Sequence, residues 1–265
     1  MERRIGVIDS GIGGLTVVKS IQQLIPGENI IYFGDNINVP YGNRTKDEIL
    51  NLTMNLLSFM EENNVKIVAV ACNTMSTLIQ EYKDKFAFPI IDIIHPTVEH
   101  IIKMDTYGLS IIGTEFTINS EIYQNLLKEK NPDISISVEG SKELATLIDK
   151  GDIDTPQIRE VITTHINSLL SKGDLYNLVL ACTHFPIVGN LFKEIAPELK
   201  LIDPGFEQAK AIRKYLNESH LEKIGDKGSL EIQTSGDTYL YESVTKILKL
   251  KNIISITSTK NKNAV

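Results

Sequence analysis

Val68-Ala69-Val70-Ala71-Cys72-Asn73-Thr74 and Leu178-Val179-Leu180-Ala181-Cys182-Thr183-His184 share one form. Each is an unbroken apolar run that ends in Ala-Cys and then turns polar. Such a run reads as a strand buried on both faces, the kind found in parallel sheets covered by helices. Working outward, short β-rich runs fall at residues 5–8, 30–33, 67–71, 90–94, 109–112, 135–138 and 178–181. Helical periodicity alternates with them over 15–24, 46–63, 74–85, 120–130, 157–171 and 207–217. This alternation predicts an α/β fold with largely parallel sheets. A weaker echo pairs Ile5 to Ser10 with Leu109 to Thr114, again a strand followed by a small polar residue. The two echoes together predict two similar α/β lobes facing each other across a cleft. Any α/β chain repeats strand-then-turn, and two cysteines could coincide, so the Ala-Cys echo alone leaves that blander reading open.

The composition narrows the function classes. At 265 residues the chain can bury a sizeable core as one large or two small units. Its 42% hydrophobic and 23% charged content is that of a soluble globular protein. No apolar run approaches the roughly 20 residues a membrane helix needs, so no membrane partner is expected. Met1-Glu2-Arg3-Arg4 runs directly into a strand-like segment without an apolar h-region, which predicts no signal peptide and a cytoplasmic protein. A net charge of −7 argues against nucleic acid as a partner, because that binding rests on Lys and Arg contacts to phosphate. A structural disulfide is rare in a cytosolic chain. Neither CxxC nor HExxH spacing occurs, so no metal site is expected.

In open parallel sheets, ligands bind beyond the carboxyl ends of the strands. Asp9, Cys72 and Cys182 all fall there. Helix-like segments follow the cysteines at Thr74 and Pro186, and proline suits a first helical turn. A cysteine at a helix N-terminus feels the positive end of the dipole, which favours thiolate. A structural cysteine would more often lie mid-strand. Asp9-Ser10-Gly11-Ile12-Gly13-Gly14 invites a dinucleotide reading, but GxGxxG needs a glycine where Thr16 stands. The better account is a tight turn whose amides approach a small anion.

The chain resembles the glutamate racemases of the aspartate/glutamate racemase family. The resemblance is carried by Gly6 through Val17, by Tyr32-Phe33-Gly34-Asp35 with Val39-Pro40-Tyr41-Gly42, and by Ala71-Cys72-Asn73-Thr74. It continues in Gly113-Thr114 with Thr117 and in Ala181-Cys182-Thr183-His184-Phe185-Pro186, with weaker matches at Leu201 to Pro204 and Thr234 to Asp237. It runs from about residue 5 to about residue 250. It implies L-glutamate and D-glutamate as substrates, no cofactor, D-glutamate supply to the bacterial cell wall, and a homodimer.

The chemistry explains a pair of cysteines. Inverting a stereocentre removes the α-proton from one face and returns a proton to the other, and one base in a closed site cannot easily reach both. One group starts as thiolate and the other as thiol, and a thiol's reference pKa near 8.5 can be tuned towards operating pH. The resemblance implies that Cys72 acts on D-glutamate and Cys182 on L-glutamate, assisted by Asp9 and His184 respectively. It also implies that Ser10, Asn73, Thr74, Thr114, Thr117 and Thr183 donate to the substrate, with Pro40-Tyr41-Gly42 as a facing loop and Asp35 bracing that loop. Without the resemblance, Pro-Tyr-Gly would read as an ordinary turn. The family commonly has a glutamate shortly before a glycine near the second cysteine–histidine pair. Here Asp149-Lys150-Gly151 stands in its place, one methylene shorter, which implies less direct or water-mediated help to His184; Glu143 is out of register. His95, His100, His165 and His220 read as core or surface residues.

Three alternatives remain: an aspartate racemase of the same family, a non-catalytic binding protein on the same scaffold, and a hydrolase using Cys182 and His184. The expected first lobe covers 1–95 with 209–255, the second 96–208, and 256–265 a flexible tail.

Overall fold

The computed structural model describes residues 3–104, 106–173 and 176–259. In chain order the elements begin β1 (Ile5–Asp9), α1 (Leu15–Leu24), β2 (Ile30–Gly34), α2 (Lys46–Glu62), β3 (Ile67–Val70), α3 (Asn73–Ser76), β4 (Ile90–Asp92) and α4 (Ile94–Lys103). They continue with β5 (Gly108–Thr114), α5 (Glu115–Asn119), α6 (Ile122–Lys130), β6 (Ser135–Ser141), α7 (Leu144–Ile148), α8 (Pro156–Lys172) and β7 (Asn177–Ala181). The last are α9 (Gly189–Ile195), β8 (Lys200–Ile202), α10 (Pro204–Glu218), β9 (Leu230–Thr234), α11 (Tyr239–Leu248) and β10 (Ile253–Ser258).

Two sheets result, ordered β10-β9-β2-β1-β3-β4 and β6-β5-β7-β8. Every pairing in both is parallel. The unbroken apolar runs lie centrally, as their two-sided burial requires: β3 beside β1, and β7 beside β5. The chain leaves the first sheet through α4, builds the second, and returns through α10, and these two helices pack on each other. One apolar cluster runs from β1 and α1 through α4 and α10 into β5 and β7, so the two sheets share a core. Helix starts follow local capping chemistry. Thr45 and Glu48 cap α2 reciprocally, Thr155 caps α8 ahead of Pro156, and Asp203 caps α10 ahead of Pro204.

Several expectations need correction. The helix expected over 74–85 stops at Ser76 and gives way to a short 3-10 turn at Ile79–Glu81. The Ser76 and Thr77 hydroxyls donate to the Val70 and Thr74 carbonyls, the local bonding that competes with a helical ladder. The helix expected over 120–130 forms as α6 but starts two residues later, after Glu121, whose φ of 57° separates it from α5. The strand expected to reach 94 ends at Asp92, because the Asp92 carboxylate accepts from the Ile94 and His95 amides and starts α4. The tail expected from 256 begins inside β10, where Ile256, Thr257 and Ser258 pair with β9; residues 260–265 lie outside the described residues. Strands β8 to β10 and helices α4, α5, α7 and α11 have no counterpart among the expected elements, whereas the helix-like segment expected from Pro186 is a 3-10 turn at Phe185–Val188 followed by α9. Among the described residues no helix is long and apolar enough to cross a membrane.

Candidate active site

Cys72 and Cys182 each follow a central strand, β3 in the first sheet and β7 in the second. Their carbonyls accept from the Ser76 and Phe185 amides, so each cysteine sits where a strand turns into a helical segment. They are 5% and 6% exposed, and both thiols are free. The two line one narrow cavity of about 30 Å³. The first-sheet side supplies Ser10, Pro40, Tyr41, Gly42, Asn73 and Thr74 to its wall, and the second-sheet side Thr114, Asp149, Thr183 and His184. Its volume is well below that of an open ligand pocket, so the support for a small-molecule site is the convergence of polar groups on it and not its size. Val39, from the Val39-Pro40-Tyr41-Gly42 motif, also lines it, as does Ala145, which belongs to no motif singled out in the sequence. Asp9 and Thr117 stand one layer behind the wall.

Asp9 is fully buried. Its carboxylate accepts from the Gly11 amide at 2.9 Å and from the Thr183 hydroxyl, across the cleft, at 3.0 Å. Burial raises its pKa, although His184 and these donors pull the other way. The glycine run therefore does meet an anion, the protein's own carboxylate. Gly14 is required for that approach, since a Cβ there would come within 2.6 Å of the Asp9 Cβ.

Cys72 lies 3.7 Å from the Ser10 hydroxyl. Burial, reinforced by the charge of Asp9, pushes its thiol up to about 12. The expected bias towards thiolate is overturned at this residue. Helix α3 has only four residues, too short a dipole to offset desolvation beside an anion.

His184 makes two contacts. Its Nδ1 lies 3.9 Å from the Cys182 sulfur, and its Nε2–H donates to the Asp149 carboxylate at 2.9 Å. Burial alone would lower its pKa, but Asp149 reverses this and holds it well above 6.5. The shorter aspartate thus reaches the imidazole directly, correcting the expectation of weaker or water-mediated contact. Its position at the C-terminal end of α7 brings it near enough.

Replacing Asp149 by asparagine removes the larger of the two influences that oppose burial and leaves only Cys182 against it. In imidazole ¹⁵N NMR titrations, wild-type His184 is expected to stay protonated above pH 6.5, whereas Asp149→Asn is expected to lose its proton at a lower pH than wild type. The sign for stability follows. A native value above the unfolded one contributes fully below about pH 6.5 and is lost as pH rises through the native value. The gap in unfolding midpoint between wild type and variant is therefore expected to narrow from pH 6 to pH 9, and a gap that widens would contradict the assignment.

The other wall is built from neutral donors. Thr74, Thr114 and Thr117 form a triangle of hydroxyls at 3.1, 3.4 and 2.9 Å. The Tyr123 hydroxyl donates to Asn73 Oδ1 at 2.7 Å, which fixes that amide and leaves its buried Nδ2 without a protein partner. Tyr123 comes from α6, and no sequence motif points to it. The Tyr41 and Asn38 side chains both donate to the Asp35 carboxylate, tying down the 40–42 loop. Among the described residues no group of three or more His, Cys, Asp or Glu is placed to hold a metal ion.

Comparison with known proteins agrees with this arrangement. Residues 5–212 match the model of the family described as Asp/Glu/Hydantoin racemase. The chain is 33% identical over 247 residues to glutamate racemase 3 of Caldanaerobacter subterraneus subsp. tengcongensis, covering 92% of this chain and 90% of that one. It is similar in structure to a glutamate racemase isoform from Bacillus anthracis, with a TM-score of 0.89, 27% identity and 97% of both chains covered. It is likewise similar to the glutamate racemase of Francisella tularensis in complex with D-glutamate, with a TM-score of 0.86, 28% identity and 97% of both chains covered.

Proposed function

The chain belongs to the Asp/Glu/Hydantoin racemase family, and on that premise we propose that it is a glutamate racemase, interconverting L- and D-glutamate by cofactor-independent proton transfer between two cysteines. The observation that carries this reading is that Cys72 and Cys182, from different sheets, line one cavity. Starting from L-glutamate, Cys182 removes the α-proton, and the electron pair stays on the α-carbon, delocalised into the carboxylate. Cys72, which burial keeps as a thiol, returns its proton to the opposite face. The cysteines exchange protonation states, and D-glutamate runs the same path backwards. Asp9 favours the thiol form of Cys72, while His184, held by Asp149, serves Cys182.

The unpartnered Asn73 amide and the Ser10, Thr74, Thr114 and Thr183 donors suit the substrate carboxylates, with Thr117 supporting two of them. Donors fixed before the carbanion forms stabilise its charge without reorganising. The reading includes a first lobe of 1–95 with 209–255 and a second of 96–208, a division supported by the separate pairing of β5 to β8. By family resemblance it also includes a cytoplasmic homodimer whose D-glutamate goes to peptidoglycan.

Purified protein incubated with D-glutamate in D₂O is expected to yield L-glutamate carrying deuterium at the α-carbon, read by chiral chromatography and NMR. Aspartate, one methylene shorter, is expected to turn over about 10- to 200-fold less efficiently. Absence of inversion, or product retaining the substrate's own α-hydrogen throughout, would defeat the reading; a preference for aspartate would move it to the sister activity.

A further inference from the structure

A second hydrogen-bonded line of side chains approaches the cavity from outside. Glu139, on edge strand β6, accepts from Lys172 at 2.6 Å, Ser168 at 2.8 Å and His165 Nδ1 at 3.1 Å, all on one face of α8. Burial works to raise its pKa, but the three donors prevail and lower it. Glu139 is therefore an acceptor, and His165 Nδ1 carries the hydrogen between them. The other ring nitrogen, Nε2, lies 3.0 Å from the hydroxyl of buried Ser141. That same oxygen accepts the amide of Leu144, the first residue of α7, at 3.2 Å.

Helix α7 has five residues, and its preceding residue, Glu143, makes no side-chain cap. A helix this short does not hold itself together and depends on its attachments. Its start is fastened to Ser141. Its end is Asp149, which holds His184 against Cys182. Between them, Ala145 lines the cavity. The order Ser141, His165, Glu139 resembles a nucleophilic triad, but Ser141 is 4% exposed and its oxygen already accepts a backbone amide. The arrangement is an anchor.

We propose that His165, through Ser141 and backed by Glu139, is a positioning residue for the Cys182 half-reaction: it fixes α7 and so the reach of Asp149 to His184. The proposal rests on the racemase reading above. A misplacement of about 1 Å near reacting atoms can cost about 100-fold.

The test compares wild type, His165→Ala and Ser141→Ala, using L- and D-glutamate each deuterated at the α-carbon. If α7 loosens, steps at Cys182 become rate-limiting. The primary isotope effect is then expected to rise from L-glutamate, where Cys182 breaks the C–D bond. From D-glutamate, where Cys72 breaks it in an earlier step, the effect is expected to fall. Turnover should drop about tenfold or more. A merely structural weakening would shift both isotope effects together. Unchanged turnover, or isotope effects that move equally for both enantiomers, would overturn the proposal. Should His165→Ala fail to fold by circular dichroism, Ser141→Ala, which leaves the His165–Glu139 pair intact, carries the same measurement. Wild-type protein inert towards glutamate would defeat the function reading before any variant is compared, and the positioning proposal with it, so the two failures are told apart.

Discussion

Serine at Cys182, or at Cys72, is expected to lower the rate of glutamate inversion by about 10³-fold, in the middle of the range for loss of a general acid or base. The substitution changes one atom and leaves the cavity nearly the same size, so packing changes little. What changes is acidity: a hydroxyl does not ionise in the range where a thiol does. Because the two enantiomers have equal free energy, kcat/KM must fall by the same factor from either side in each variant. The two variants should nevertheless differ in what they retain. With Cys182→Ser, Cys72 can still take and return the proton on its own face, so D-glutamate is expected to exchange its α-hydrogen with solvent deuterium without inverting. With Cys72→Ser, the same retained exchange is expected from L-glutamate. Polarimetry reads the inversion and proton NMR the exchange. A single variant that inverts glutamate at the wild-type rate would remove the need for two opposed bases. Exchange of L-glutamate in Cys182→Ser and of D-glutamate in Cys72→Ser would swap the faces on which the two cysteines act.

Much of this was legible in the chain, and what was not has physical reasons. The two runs ending in Ala-Cys placed Cys72 and Cys182 at strand ends, because burial on both faces leaves an unbroken apolar signature. His184 followed from its cysteine by two residues. The acidity of Cys72 could not be read, since it depends on Asp9, 63 residues earlier, being buried beside it; the tertiary environment outweighs a one-turn dipole. Strand β9 escaped notice because Glu231 and Gln233 interrupt its apolar pattern, and Glu231 is tolerated there through its ion pair with Arg4. The start of helix α4 was hidden by the four isoleucines of residues 90–94, which favour a strand, and only the Asp92 carboxylate, in the middle of that run, ends it by accepting from the Ile94 and His95 amides. Tyr123 and Ala145 belong to no motif: Tyr123 reaches the site through its hydrogen bond to Asn73, and Ala145 by lining the cavity from α7.

Alanine at Gly13 is expected to lower kcat/KM by about 100-fold, with the unfolding midpoint within a few degrees of wild type. Gly13 lies in the turn after β1, facing the segment that follows β7. Its backbone is not left-handed, so alanine is tolerated as a conformation. The penalty lies across the cleft. A Cβ there would stand 2.7 Å from His184 Nδ1 and 2.9 Å from the His184 backbone nitrogen, and closer still to the Thr183 hydroxyl. A flexible side-chain end could swing aside, but a backbone amide at the end of a central strand cannot, so the two walls must separate. Separation stretches the Thr183–Asp9 hydrogen bond and draws Cys182 away from an α-carbon held by the first-sheet side. A shift of about 1 Å in reacting groups accounts for the expected loss. Gly11→Ala is the internal control. Its Cβ would meet only the tip of Val39 at 3.2 Å, with His184 no nearer than 3.8 Å, so a loss under about tenfold is expected. If Gly13→Ala matched wild type, or lost no more than Gly11→Ala, closure of the walls around Gly13 would not be what sets the distance between the two sulfurs.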